Sequence, residues 1–258
     1  MIEEQINLLK KNGSIFSKQD IYILKRLCTK TNKEKIKDLK KIVENFINKR
    51  NFGVKRIDIG ISIKKFKTII QVPKTNLTRI YDIASITKLF TLKLTYDLYS
   101  EGIINLNEKI TDSLPQINLQ NCTIEDILKM NNSIETKGKL SETKTKEEFE
   151  NRLLTANYIV TNKSKYTDIG FIILGKIIEY KINKLNNLKM EYKEIVNTYV
   201  SDQLNLKSTM FVPTKNNNFE IIGNGNHLNL PHDPKTRIYG GFTGAAGLFS
   251  SAEDFISL

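Results

Sequence analysis

The sequence predicts an α/β protein with an antiparallel sheet flanked by helices and a helical subdomain. Residues 33–50 repeat apolar side chains at helical spacing, whereas residues 56–63 alternate isoleucine with other residues at strand spacing. A strongly apolar run at 169–180 indicates a buried helix. Helices, a hairpin, a helical middle and a loop-rich end, in that order, are typical of an α/β or α+β fold.

The remaining elements are justified by their caps and periodicity. The predicted helices lie at residues 2–12, 19–29, 33–50, 85–100, 169–180 and 186–204, with others starting at 123 and 251, and the strands at 56–63 and 68–72. Thr123 and Asp126 have the spacing of a capping box. Polar composition predicts mobile structure at 131–146, and Gly, Asn and Pro predict loops at 223–247.

Length and composition predict an N-terminal helical segment, residues 1–50, followed by a domain over residues 51–258. The chain has 258 residues, of which 40% are hydrophobic and 26% charged, as in ordinary globular proteins. Two cysteines and two histidines lack the spacing of a metal site or disulfide framework, so we expect neither a metal nor a cofactor.

The formal net charge of +12 has two interpretations. It could indicate a polyanion partner such as nucleic acid, or it could reflect a composition rich in Lys, Asn and Ile. The lysines are spread along the chain, which favours composition, and we expect no nucleic-acid partner.

The N-terminal residues carry acids early and contain no apolar core of a signal peptide. No apolar run reaches the roughly 18 residues of a membrane span. We therefore expect a cytoplasmic protein without a membrane partner.

Ser85 and Lys88 form a Ser-x-x-Lys motif at the start of an apolar helix. Residues three apart share a helix face, so hydroxyl and amine can meet. Serine needs a base to become a nucleophile, and burial at the positive end of a helix dipole favours neutral lysine. The spacing recurs at Ser62, in a predicted strand, and at Ser141, in a polar segment. The alternative role for Ser85 is an N-cap.

Two further segments are candidates for the site. Tyr166 could relay protons, with Asp168 orienting it or a lysine, although Asp168 could equally be a plain helix cap. The Gly-rich residues 240–247 suit either close approach to a ligand or a tight turn, and we favour the turn. His232, within a His-Asp-Pro turn, is interpreted as structural.

These segments together resemble the serine β-lactamase and penicillin-binding-protein superfamily, in its class C β-lactamase-related esterase or D-alanyl peptidase branch. The resemblance covers roughly residues 50–258 and rests on order and spacing. Its blocks are Tyr-Asp-Ile-Ala-Ser85-Ile-Thr-Lys88, Glu101-Gly-Ile-Ile-Asn-Leu-Asn-Glu, Tyr166-Thr-Asp168-Ile-Gly and Gly247-Leu-Phe-Ser-Ser-Ala-Glu-Asp.

The resemblance implies a β-lactamase/transpeptidase-like fold and a role for each residue of the site. Ser85 would be the acylated nucleophile and half of the oxyanion hole, Lys88 its base and Tyr166 the acid-base group, and Asp168 matches the third residue of the tyrosine motif. The third family motif, Lys/His-Thr/Ser-Gly, is absent up to Leu258, and Thr243-Gly244 is an imperfect substitute. We therefore expect a truncated domain whose C-terminal sheet strands are missing.

The predicted function is acyl-serine hydrolysis of a small amide or ester, such as a β-lactam, a D-alanyl peptide or an ester. The alternative is a non-catalytic remnant or binding protein that keeps the pocket without turnover. A sheet lacking strands would expose an edge, through which association with other chains is expected.

Overall fold

The computed structural model describes residues 32–49, 55–63, 66–130, 133–159, 165–214, 218–223 and 228–258. The chain divides into two compact units, Met1–Asn76 and Leu77–Leu258. The helices predicted at 2–12 and 19–29 lie outside the described residues.

The first unit combines one amphipathic helix with a β-hairpin. Helix α1 spans Asn32–Lys49, and strands β1 (Ile57–Ile63) and β2 (Phe66–Val72) pair antiparallel, as their alternating residues predict. The buried apolar residues of helix and hairpin form one cluster: Val43, Ile70 and Val72, packed against Ile36, Leu39, Ile57, Ile59 and Ile61. Burial of one face of each element therefore holds this unit together.

The second unit contains strands β3–β8 and helices α2–α9. The strands are β3 (Thr78–Asp82), β4 (Ser133–Glu135), β5 (Asn157–Ile159), β6 (Met210–Phe211), β7 (Phe219–Ile222) and β8 (Leu248–Ser250). The helices are α2 (Thr87–Ser100), α3 (Ile110–Ser113), α4 (Ile124–Lys129), α5 (Lys146–Leu154), α6 (Ile169–Asn186), α7 (Tyr192–Val196), α8 (Pro234–Ile238) and α9 (Ala252–Phe255). Short 3₁₀ turns lie at Ala84–Ile86 and Leu140–Glu142, and a π-helical segment at Asn197–Asp202.

Strand β3 lies inside a four-stranded sheet whose order is β6-β8-β3-β7. It pairs antiparallel with β8, where Tyr81 faces Ser250, but parallel with β7, where Thr78 faces Phe219. This sheet is mixed, whereas the sequence predicted antiparallel strands. Alternating side chains do not reveal strand direction, and the long connection between β3 and β7, which contains both helices and strands, permits parallel pairing.

Helix α6 is the centre of the core in the second unit. The side chains of Ile173, Leu174 and Ile177 are fully buried there, as is that of Leu94 on α2. Each such side chain contributes about 1.5–3 kcal/mol through burial. Because α2 and α6 pack together, residues at their N-terminal ends come into one region.

Two segments predicted as irregular contain ordered elements. Within 131–146, Ile134 and Leu140 are buried and β4 pairs with β5, so apolar anchors order a segment whose composition is mainly polar. Within 223–247, helix α8 begins because Asp233 accepts a hydrogen bond from the Thr236 N–H and proline follows as the first helical residue.

None of the helices within the described ranges combines the length and the apolar character that a bilayer crossing requires.

Candidate active site

Ser85 lies in a tight turn between strand β3 and helix α2. The preceding Ala84 has a φ of 49°, in the left-handed region that non-glycine residues rarely adopt. Two side chains hold its peptide groups: Asp82 Oδ1 accepts from the Ala84 N–H at 2.8 Å, and Thr87 Oγ1 donates to the Ala84 carbonyl at 2.6 Å. The turn presents Ser85 as an exposed residue just ahead of the helix.

The carboxylate of Asp82 also anchors this turn to a distant loop. Its Oδ2 accepts from the backbone N–H of His232 at 2.6 Å and lies 3.0 Å from His232 Nδ1. The Asp82 side chain is only 9% exposed, whereas the His232 ring is 50% exposed. His232 therefore contacts Asp82, the last residue of the strand that leads to Ser85.

The amino group of Lys88 connects three other residues of the site. Its Nζ donates to Tyr166 Oη at 2.6 Å, to Asp168 Oδ1 at 2.7 Å and to the Ala245 carbonyl at 3.0 Å. The lysine is buried, so all three donors of its amino group meet protein acceptors rather than water. Such contacts stabilise a buried cation through charge-assisted hydrogen bonds.

Asp168 lies between two lysines. Its Oδ1 accepts from Lys88, and its Oδ2 from Lys235 at 2.8 Å. Burial alone would raise the pKa of Asp168, but the hydrogen bonds from Lys235 and Lys88 outweigh it and hold that pKa below its ordinary value.

The side chain of Asp168 does not cap helix α6, although the residue occupies the N-cap position. Instead, Thr167 Oγ1 accepts from the Ile169 N–H at 3.2 Å. The two lysines are stronger partners for a carboxylate than a backbone amide, which explains why the cap interpretation fails.

The Gly-rich segment forms a wall of the site. The Gly244 carbonyl accepts from Thr91 Oγ1 at 2.7 Å, and the next carbonyl, of Ala245, accepts from Lys88. A Cβ on Gly244 would overlap the carbonyl oxygen of Phe171 and approach Gly175 N to 3.1 Å. Glycine is therefore required at position 244 for backbone packing against α6.

A cavity of about 520 Å³ opens beside Tyr166 and Asp168. Its remaining lining comes from the segment that leads into the second 3₁₀ turn, from the start of α6 and from α8, namely Glu135, Thr136, Gly138, Lys139, Leu140, Ser141, Thr167, Ile169 and Lys235. Its volume is in the range of small-molecule sites, but neither Ser85 nor Lys88 lines it.

The structure brings three of the four predicted site residues into one hydrogen-bonded group: Lys88, Tyr166 and Asp168. Within the described ranges, the hydroxyl of Ser85 donates no hydrogen bond to this group. The sequence analysis did not identify Lys235, although this lysine follows Asp233 by two residues, at the start of a helix that Asp233 caps. It also missed Asp82, whose signal was a carboxylate three residues before Ser85.

The fold and this lysine-centred site define a protein of the serine β-lactamase and penicillin-binding-protein class. The family model described as Beta-lactamase matches residues 72–258. The chain therefore belongs to the β-lactamase family.

Solved structures support the fold at low sequence identity. A class C β-lactamase superposes with a TM-score of 0.66 at 13% identity, covering 88% of this chain and 65% of its own. A β-lactamase from Sulfitobacter sp. EE-36 gives 0.66 at 16%, covering 88% and 64%. The octameric penicillin-binding protein homologue from Pyrococcus abyssi gives 0.63 at 21%, covering 88% and 55%.

The chain thus spans between about half and two thirds of the length of these structural relatives. Among curated proteins, no sequence matches it significantly.

Proposed function

We propose that this chain carries the acyl-serine site of a hydrolase that acts on a small amide or ester, with Ser85 as nucleophile. The observation that carries the proposal is the hydrogen bonding of Lys88 to Tyr166 and Asp168, one helical turn after an exposed serine. A nucleophile, a proton acceptor and a proton relay are the groups that acyl transfer needs. The substrate classes considered are β-lactams, D-alanyl peptides and esters.

In the acylation step, Ser85 Oγ attacks the substrate carbonyl carbon and forms a C–O bond. The hydroxyl proton passes to Lys88 in its amine form, which then has the three acceptors that an ammonium group requires. Tyr166 Oη, 2.6 Å from Lys88 Nζ, donates a proton to the leaving nitrogen or oxygen as its bond to the carbonyl carbon breaks. Lys88 then returns its proton to Tyr166, which restores both groups. A water molecule attacks the acyl carbon and gives a proton to the Lys88–Tyr166 pair, and the bond between that carbon and Ser85 Oγ breaks as the pair gives a proton to Oγ.

The developing negative charge on the substrate oxygen needs hydrogen-bond donors. Ser85 lies in the 3₁₀ turn that leads directly into helix α2, and its own N–H is the donor that the family resemblance assigns. The positive end of the α2 dipole adds to this stabilisation.

Acylation of Ser85 tests the proposal directly. The chain is incubated with a fluorophosphonate or a penicillin, its intact mass is measured, and the adduct is mapped by peptide digestion. We expect one adduct at Ser85, lost in Ser85→Ala. Labelling at Ser62 or Ser141 instead, or no labelling, would contradict the proposal.

The roles of Lys88 and Tyr166 are tested by single-turnover acylation rates. Lys88→Ala is expected to slow acylation by roughly 10²- to 10⁴-fold, the usual effect of removing a positioned general base. Tyr166→Phe is expected to impair hydrolysis while preserving the fold, because Tyr166 is exposed. Lys93→Ala is the control: Lys93 lies on the same helix and pairs with Asp97. Equal effects of Lys88→Ala and Lys93→Ala would remove Lys88 as the base.

The second candidate is a binding protein without turnover. It is favoured by the position of Ser85 outside the Lys88 hydrogen-bonded group and by the three acceptors that already engage Lys88. Reversible binding of a penicillin, without a covalent adduct, would support this candidate.

A further inference from the structure

We infer that Lys235 is a positioning residue of this site, which shares the Asp168 carboxylate with Lys88 and thereby favours transfer of the Ser85 proton to the Lys88–Tyr166 pair. The inference rests on the proposed function. It concerns a lysine outside the motifs by which the site was recognised, since Lys235 lies in helix α8, far along the chain from Ser85.

The geometry places Lys235 at the far side of the carboxylate that Lys88 uses. Lys235 Nζ lies 2.8 Å from Asp168 Oδ2 and 3.0 Å from Asp233 Oδ1. Asp168 Oδ1 faces Lys88 at 2.7 Å. The two lysines therefore divide one carboxylate between them, each taking one oxygen.

The position of Lys235 is set by the local chain. Asp233 caps helix α8 through the Thr236 N–H and the Thr236 hydroxyl, while its other carboxylate oxygen contacts Lys235. Lys235 is one of the first residues of that helix and reaches back across Asp233. Its side chain is 24% exposed and lines the cavity beside Tyr166.

The charges around the pair explain the expected effect. Lys88 faces Asp168 and Tyr166, Asp168 faces both lysines, and Lys235 faces both aspartates. Two cations and two anions therefore balance. When the charge of Lys235 is removed, Asp168 keeps only one cationic partner. The negative charge of Asp168 then acts more strongly on Lys88 and opposes loss of a proton from its ammonium group.

Two other charged groups line the same cavity. Glu135 pairs with Lys165 at 2.9 Å, and Lys139 directly precedes the second 3₁₀ turn. Neither is ion-paired with the two aspartates in the part of the chain that the structure describes. The lysine that shares the Asp168 carboxylate with Lys88 is Lys235.

The charge of Lys235 acts in the same direction whether Lys88 or Tyr166 takes the proton of Ser85. A nearby positive charge favours the amine of Lys88 over its ammonium form and the phenolate of Tyr166 over its phenol. Its loss therefore opposes transfer of the Ser85 proton to either group. The pKa of Asp168 is held low by Lys235 as well as by Lys88, which agrees with a shared carboxylate.

The test compares the pH dependence of Ser85 acylation in the full chain and in Lys235→Met, with a fluorophosphonate as the probe. The rising limb of the profile is expected to move to higher pH by about one unit, which is the size of shift that a single nearby charge produces. Acylation of Lys235→Met near neutral pH is then roughly tenfold slower and recovers in alkaline buffer. Lys235→Arg, which keeps the charge, is expected to restore most of the wild-type profile.

Lys181→Met is the matched control. Lys181 is 22% exposed and pairs with Glu108 at 2.8 Å, but it lies about 20 Å along α6 from Asp168. Its profile is expected to coincide with that of the wild type. A purely structural role of Lys235 would lower the rate equally at every pH, and that outcome would overturn the inference.

A second measurement does not depend on activity. Carbon-13 NMR of labelled aspartate follows the titration of the Asp168 carboxyl group, assigned with Asp168→Asn. In Lys235→Met this titration is expected at higher pH than in the wild type, and an unchanged titration overturns the inference. A wild-type chain that resists acylation but shows the Asp168 shift would contradict the proposed function while supporting the charge coupling.

Discussion

Replacement of Asp82 by alanine tests whether the turn before Ser85 is held by the Asp82 carboxylate. This side chain is 9% exposed and accepts hydrogen bonds from the N–H groups of Ala84 and His232. In Asp82→Ala the half-buried amide of Ala84 and the exposed amide of His232 lose a charged acceptor, and a hydrogen bond to a charged group contributes about 1.5–3 kcal/mol. Because partial hydration relieves some of this cost, we expect a total destabilisation of about 2–4 kcal/mol.

The turn itself also relaxes in this variant. Ala84 holds a φ of 49°, a conformation that costs about 1–2 kcal/mol and persists only where surrounding contacts enforce it. Without the contact from Asp82, the backbone can leave this conformation and move Ser85 Oγ. A displacement of about 1 Å is enough to slow a positioned reaction by roughly 10²-fold.

Thermal unfolding followed by circular dichroism measures the first effect, and the acylation rate at 25 °C measures the second. At about 2–4 °C per kcal/mol for a unit of this size, the melting temperature of Asp82→Ala should fall by roughly 5–15 °C. His232→Ala, which removes only a half-exposed ring, is the control and should cost less than about 1 kcal/mol. A melting temperature of Asp82→Ala within 1 °C of the wild type, about the error of the measurement, would refute the reasoning.

Three further predictions follow from packing and charge. Gly244→Ala should destabilise by more than about 3 kcal/mol in urea unfolding, because its Cβ meets backbone of α6, whereas Gly102→Ala, with open space but a φ of 73°, should cost about 1–2 kcal/mol. Burial, with a smaller contribution from the Asp126 charge, raises the pKa of Cys122 to about 12, so in a Cys28→Ser background its thiol should react with a disulfide reagent only on unfolding. The pKa of Asp168 is lowered in the folded chain, so its ionised carboxylate stabilises the fold at pH values above the unfolded pKa of about 4. This contribution is lost as the pH falls through the folded pKa. The stability of Asp168→Asn should therefore fall less steeply with decreasing pH than that of the wild type.

Each of these predictions has a contrary outcome. Equal losses for Gly244→Ala and Gly102→Ala would mean that α6 and the Gly-rich segment separate easily. Prompt modification of Cys122 in the native protein would contradict its burial. If the stability of Asp168→Asn fell with decreasing pH as steeply as that of the wild type, other carboxylates would govern acid stability.

Short-range patterns in the sequence predicted much of the local structure. The alternating isoleucines predicted the β1–β2 hairpin, and Thr123 with Asp126 predicted a capping box that the structure contains. The apolar periodicity after Ser85 predicted helix α2, whose first turn contains Lys88, while Ser85 itself lies in the 3₁₀ turn that precedes this helix. These predictions succeed because caps, turns and helix faces depend on residues only a few positions apart.

The structure of the Gly-rich segment shows the limit of such patterns. Its composition suited a tight turn or a ligand contact, and the sequence favoured the turn. In the structure the Gly244 and Ala245 carbonyls accept hydrogen bonds from Thr91 and Lys88, and Gly244 packs on backbone of α6. A glycine requirement of this kind depends on the approach of a distant helix, which composition does not encode.

The sequence by itself therefore determined the strongly periodic helices, the β1–β2 hairpin and which residues are chemically able to take part, whereas the tertiary structure decided strands β3–β8 and which of these residues meet. Asp82 and His232 lie 150 positions apart, and Lys88 and the Ala245 carbonyl 157 apart. The division of Asp168 between Lys88 and Lys235 likewise joins three separate segments. Such contacts arise only when buried helix and sheet faces pack in one arrangement, because hydrogen bonds between remote residues form after that packing brings their atoms within about 3 Å.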